Sequence, residues 1–264
     1  MRLMLKAKCT GANKIPLHYN NAFSTAIYKL MKLDSPEFAV FLKSKEYVNG
    51  DDQYDLFSFA IKLENYFVDD HNLYLISPNI ILYISLPFID PFIRNSVLRT
   101  LRQQSLVIED DLNSTNFSIT QVSIFAEPQF NEEMKFILLS PLILSIKTVL
   151  LSRTKRYYLK PVDAEKINKV LSDDLVNKYK RRYNKEIQFK ELKLSFEEDY
   201  LNTHEGVIKK LKLKKEGNHF KDVFGMIAPF TLKGNPELIK IGYECGFGEM
   251  NYLGFGLAVV KHAI

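Results

Sequence analysis

Twice along this chain, runs whose apolar residues alternate every second position are interrupted by segments whose apolar residues recur every three or four. That order of periods limits the fold more than any other feature. In the first half Leu3, Leu5, Ala7 and Cys9 alternate with Met4, Lys6 and Lys8, the pattern of a strand. After turn signals at Gly11, Asn13 and Pro16, "YNNAFSTAIYKLMKL" places Phe23, Ala26, Ile27, Leu30 and Met31 on one side of a helix. A short second helix is expected after Ser35-Pro36, with serine as cap and proline at the first helical position. The stretch 54–88 is rich in β-branched and aromatic residues, with turn signals at Asp69-Asp70 and Ser77-Pro78-Asn79, and reads as several strands. "DPFIRNSVLRTLRQQ" returns to helical spacing behind an Asp90 cap and Pro91, and "FSITQVSIFAEP" closes the half as a strand.

The second half repeats the theme. "EMKFILLSP" and "RYYLKP" read as strands before the helix "DAEKINKVLSDDLVNKYKRRY", whose Ile167, Val170, Leu171, Leu175 and Tyr179 share a face. "IQFKELKLSF", "EGVIKKLKLKK" and "FGMIAPFTLKG" follow as strands, then a short helix "PELIKIGYECG" and a last strand "GLAVVKHA". Each half therefore follows β-α-β-β-α-β, the ferredoxin-like (RRM-like) order. The fold class expected is α+β, with two tandem domains of this kind, 1–127 and 128–264, joined near Pro128 and ending in a glycine-rich loop.

A chain of 264 residues with 46% hydrophobic and 25% charged residues can bury a sizeable core. Its net charge of +5 permits a polyanionic partner without requiring one. Cys9 and Cys245 form no C-x-x-C pair and read as two free thiols in a reducing cytoplasm. The most apolar run, Phe136 to Ile146, contains Pro141 and falls short of the roughly 20 residues a membrane helix needs. No His/Asp/Glu set has metal-ligand spacing, so no metal or cofactor is expected. The acidic pairs Asp51-Asp52, Asp69-Asp70 and Asp173-Asp174 read as solvated.

Five of the 11 glycines stand in "GYECGFGEMNYLGFG", from Gly242 to Gly256. The spacing is neither a dinucleotide fingerprint nor a Walker A loop, and no helix follows to hold a pyrophosphate. A glycine-rich turn between a helix and a strand can expose backbone N–H groups to phosphate oxygens. It can equally be a tight connection with no ligand.

This segment resembles the C-terminal glycine-rich motif of the CRISPR-associated pre-crRNA-processing endoribonucleases, a family within the repeat-associated RAMP superfamily. "IPLHYNNAFSTAIYKLM" and "LLSPLILS", ahead of a basic loop and the helix with "LSDDLVNKY", resemble the same family. The resemblance spans most of the chain and implies two ferredoxin-like domains. It also implies metal-independent cleavage of CRISPR repeat RNA by attack of a ribose 2′-OH, leaving 2′,3′-cyclic phosphate and 5′-OH ends. The alternatives are a catalytically silent repeat-RNA binder of the same family, or a structural subunit capping the RNA within an interference complex. The implied partners are repeat RNA (pre-crRNA) and interference-complex subunits, for a monomer or homodimer.

Family members typically use a tyrosine on the first helix, a histidine beyond it and a lysine nearby. Tyr28 in "TAIYKL" matches the tyrosine. The histidine position is occupied by Lys43 in "PEFAVFLKSKEY", and Lys43 and Lys45 would supply cations. His18, just before the helix, is the one histidine expected to reach the site. Phosphate contacts are expected from Arg153, Lys155, Arg156 and Lys160, a loop with Tyr157 and Tyr158 beside the charges for stacking. They are also expected from Lys210, Lys212 and Lys214 on one strand face. Gly246, Gly248, Gly254 and Gly256 would let the RNA backbone approach between the domains, so that valine at 248 or 254 weakens RNA binding more than folding. The basic end of the long helix reads as a complement to its dipole.

Overall fold

The computed structural model describes residues 2–34, 47–49, 52–54, 57–87, 101, 104–109, 114–150, 153–214 and 219–261. The first half begins with β1 (Arg2–Cys9), β2 (Lys14–Pro16) and α1 (Asn20–Asp34). It continues through β3 (Tyr47–Asn49), β4 (Asp52–Tyr54), β5 (Ser58–Leu63), β6 (Tyr66–Val68), β7 (Asn72–Leu75) and β8 (Asn79–Ser85), and closes with β9 (Ser105–Glu109) and β10 (Ser114–Ile124). Five of these form an antiparallel sheet in the order β5-β8-β1-β10-β9, so the first strand lies at the centre. The period-2 pattern explains the layering. Leu3, Leu5 and Ala7 turn to one face with Ile80, Leu82, Ile84 and Phe117, and there they meet Phe23, Ala26, Ile27 and Leu30 of α1. Each buried Leu, Ile or Phe among them contributes about 2 kcal/mol by leaving water. The helices expected after Ser35-Pro36 and after Asp90-Pro91 lie outside the described residues, apart from Leu101, which is helical and buried.

The second half has β11 (Glu133–Leu138), β12 (Ser145–Leu150), β13 (Arg153–Tyr158), α2 (Ala164–Tyr183), β14 (Leu192–Phe196) and α3 (Glu198–Thr203). Then come β15 (Ile208–Lys214), β16 (Phe220–Met226), β17 (Phe230–Gly234), α4 (Pro236–Cys245) and β18 (Ala258–Val260). Its sheet runs β14-β17-β11-β18, again with the half's first strand inside. Ile167, Leu171, Leu175 and Tyr179 of α2 and Leu238, Ile239 and Ile241 of α4 pack on the sheet's inward residues Met134, Phe136, Leu194, Phe230 and Leu232. The mixed α/β architecture, mostly strand, is the one expected.

Three local readings change. The lysine-rich strand does not join the sheet but pairs with β16 as a separate hairpin. "FGMIAPFTLKG" is two strands, because Pro229 lacks the N–H a continuous ladder needs. The basic segment, expected as a strand from Arg156 on but as a loop where it was to contact phosphate, is strand β13 from Arg153, paired with β12. No helix among the described residues is long and apolar enough to cross a membrane.

Candidate functional site

The glycine segment sits where the two halves meet. Pro236 opens α4 behind Asn235, whose side chain accepts from the Glu237 N–H, and the helix ends as Gly246 turns to φ +90°. Beyond it the chain folds back on itself. The buried Asn251 donates through Nδ2 to the carbonyls of Phe247 (3.1 Å) and Phe255 (3.0 Å), and the Phe247 N–H donates to the Gly256 carbonyl.

Gly246, Gly248, Gly254 and Gly256 all have positive φ and all are buried. A Cβ on Gly256 would lie 1.9 Å from the Phe247 carbonyl oxygen, and one on Gly248 would lie 2.4 Å from that of Ile143. Their N–H groups are also taken: Gly246 donates to Gly242, Gly248 to the Asp174 carboxylate, Gly254 to Asn251 and Gly256 to Pro141. This corrects the reading of the loop as an open cradle for RNA. What approaches these glycines is the chain itself, and no donor among the four is left for a phosphate.

The segment's carbonyls are gripped from both sides. From α2, Lys178 Nζ donates to Gly246 (2.9 Å) and Gly248 (2.7 Å) and pairs with Asp174 at 2.7 Å. Asp174 is therefore buried and paired, not solvated; burial raises its pKa above the ordinary carboxylate range, against the pull of Lys178 and the Gly248 N–H. From the first half, Asn20 donates to Leu253 (2.7 Å), Ser58 to Phe255 (3.0 Å) and Ser85 to Glu244 (2.8 Å) and Tyr243 (3.1 Å). Ser58, Ser85 and Arg2 stand side by side on β5, β8 and β1. The Arg2 guanidinium lies 3.6 Å over the Tyr243 ring and donates to the Tyr243 and Ala258 carbonyls; burial lowers its pKa to about 10. Cys245, buried at the end of α4, is pushed up to about 12 by desolvation and is an inert thiol.

The first basic group divides by strand alternation. Arg156 turns inward and binds the half-sequestered Glu249 at 2.8 Å, and Glu249 also accepts from the Ser145 N–H and hydroxyl. Arg156 is thus a structural cation, which corrects its assignment as a phosphate contact. Lys155 and Tyr157 face the other way and are exposed, as is Lys160. Tyr157 leans to α2, donating to Asp163, while Tyr158 packs on Phe224. Arg153 places its backbone in β13, and its side chain lies outside the described residues.

The second basic group keeps its shared face. Leu211 turns inward with Leu213, which packs with Val223, Ile143 and Phe255, so Lys210, Lys212 and Lys214 stand on the opposite side. Phe224, Asp222 and Phe220 are their cross-strand neighbours, and Lys210 pairs with Asp222 at 2.8 Å.

α1 connects these parts. Its first residue binds the glycine segment, and the next, Asn21, donates to the Lys214 carbonyl at 2.8 Å. Tyr28, two turns on, is partly buried with its ring edge-on to Phe57 at 5.1 Å. His18 lies in the turn before α1, its ring 4.8 Å from Phe220; burial first, then Lys212, lowers its pKa. Lys43 and Lys45 lie outside the described residues.

Residues 125–260 match the family model described as CRISPR associated protein Cas6, C-terminal. The chain belongs to the Cas6 family. It is 26% identical over 98% of its length to the CRISPR-associated endoribonuclease Cas6 1 of Methanocaldococcus jannaschii, covering 92% of that protein. Its fold matches the structure of a Cas6-related gene product of Pyrococcus furiosus with a TM-score of 0.76, at 20% identity and covering 99% of this chain and 98% of the other. It also matches a RAMP protein binding different RNA substrates, with a TM-score of 0.74, 19% identity and 99% and 100% covered. On this Cas6 frame the residues missed by sequence reasoning are Asp174, Lys178, Glu249, Asn251 and Arg2. For Lys178 a signal exists: it falls three residues after Leu175 on the buried stripe of α2, with an acid one turn before it.

Proposed function

We propose that this chain is a metal-independent endoribonuclease that cuts CRISPR repeat RNA within a longer transcript. The RNA's own 2′-oxygen attacks the adjacent phosphorus, the bond to the 5′-oxygen breaks, and the ends are a 2′,3′-cyclic phosphate and a 5′-hydroxyl. Such a reaction asks the protein to align the attacking and leaving oxygens, move two protons and balance the charge of the phosphorane. The observation that carries this reading is the anchoring of α1. The helix bearing Tyr28 is bolted at its start to the glycine segment and to the lysine hairpin, so a proton-bearing group and phosphate-binding cations share one frame. A curated relative covering nearly the whole chain is named as an endoribonuclease, which supports the same reading. The strand orders of the two sheets support a division into ferredoxin-like domains, 1–127 and 128–264.

Tyr28 stands eight residues, about 12 Å of helix, beyond Asn20, and its ring and that of His18 pack on different neighbours. The two mark separate places along the RNA and are not one acid–base pair. Chemistry belongs to Tyr28, whose phenol positions and shares a proton, with Lys43 and Lys45 as cations. Lys155, Lys160, Lys212 and Lys214 hold phosphates.

The test is incubation with cognate repeat RNA in EDTA, with both product ends mapped. One cut leaving a cyclic phosphate is expected, lost in Tyr28→Phe/Lys43→Ala while repeat binding stays near wild type. Binding without any cut by the wild type would make the chain a repeat-RNA carrier.

A further inference from the structure

We propose that Phe220, with His18 packed against it, is a stacking platform for one unpaired nucleobase, an affinity contact within the RNA site of the preceding reading and dependent on it. The two rings come from opposite halves of the chain, 4.8 Å apart between centroids and tilted by 58°. Phe220 is 51% exposed although its strand has an apolar inner face on which Val223 is completely buried. A phenylalanine ring left half in water, beside an imidazole and on a lysine face, presents an apolar flat surface to whatever passes over the hairpin.

The surroundings select the ligand. Lys214 is the cross-strand partner of Phe220, and Lys212 stands two residues along the same face and beside His18. Asp222, the acid on that face, is taken up by Lys210. A flat apolar ring flanked by cations fits a base with phosphates on either side, and stacking on aromatics is how single strands are gripped. The imidazole is held toward its neutral form, so it adds little charge beside the ring. The platform is pre-built, because Asn21 ties the start of α1 to the hairpin at the Lys214 carbonyl, next to both rings.

The experiment measures equilibrium binding of repeat RNA in EDTA, with a 2′-deoxy nucleotide at the cut to prevent turnover. An intact RNA is compared with a set in which each nucleotide in turn is abasic. Phe220→Ala should bind intact RNA about tenfold more weakly. One abasic position should cost the wild type the same factor and cost Phe220→Ala nothing further, with the salt dependence unchanged. Phe220→Tyr should keep wild-type affinity, and Phe220→Leu, which keeps apolar bulk without a flat face, should behave as the alanine variant. Wild-type binding by Phe220→Ala or Phe220→Leu, or an equal extra loss at every abasic position, overturns the platform while leaving RNA binding standing. Absence of repeat binding by the wild type overturns the functional reading and the platform together.

Discussion

The glycine segment 242–256 and the β15–β16 hairpin pack against each other through Phe255, Leu253, Leu213 and Val223, yet they solve opposite problems. The segment turns its polar groups inward. Its carbonyls are met by Lys178, Asn20, Ser58, Ser85 and Arg2, and its glycines exist because neighbouring backbone and rings leave no room for a Cβ. The hairpin buries one apolar row and leaves a row of lysines to water. The first region is a joint whose satisfied polar network specifies how the halves meet. The second is a surface whose charges cost little to expose. Changes in the joint should therefore be felt in folding, and changes on the hairpin in binding.

The sharpest way to break this contrast is Gly256→Val. With φ at +67° and a carbonyl oxygen 1.9 Å from the new Cβ, the loop cannot keep its path, and a loss above about 4 kcal/mol or no soluble protein is expected. A soluble, stable Gly256→Val variant with weakened RNA binding would return the loop to the role of RNA cradle. Lys178→Ala comes next. It leaves Asp174 buried without its cation and two carbonyls without a donor, for a cost of about 3 kcal/mol by chemical denaturation, of which Asp174→Asn/Lys178→Met should restore part.

A smaller effect is expected at Glu244, whose Oε2 is buried with no hydrogen-bond partner among the described residues and whose pKa is raised, chiefly by desolvation. A carboxyl with a folded pKa above its unfolded value of 4.5 loses the wild type stability as pH rises through that window. Glu244→Gln should thus be more stable than wild type at pH 7, with the advantage vanishing below the ordinary carboxylate pKa; a pH-independent difference in melting would show that burial of the charge is not the cause. The least effect on folding belongs to Lys212→Ala, within about 0.5 kcal/mol of wild type. Its consequence should appear only in RNA binding, as a salt slope shallower by about 0.7 for one lost phosphate contact. A large drop in stability there would erase the distinction between joint and surface.

Secondary structure was legible wherever a local period is enforced by one buried face, as in β1, α1, α2 and β10, since burial selects every second or every third and fourth residue. The glycine cluster was legible as a place of close approach and of left-handed backbone, and Tyr28 as a helix residue on the family's motif. What approaches the glycines was not. Phe247, Asn251 and Pro141 meet Gly256, and Lys178 meets Gly246 from 68 residues away, so the identity of the neighbour is a property of the packed chain. The same holds for Arg156, a phosphate ligand by composition until Glu249, 93 residues on, neutralises it. It holds for His18 and Phe220, two unrelated positions until α1 and the hairpin bring their rings together. Local sequence determines which conformations a segment prefers. Only tertiary structure decides which charges and rings remain facing solvent, because partners distant along the chain consume the others.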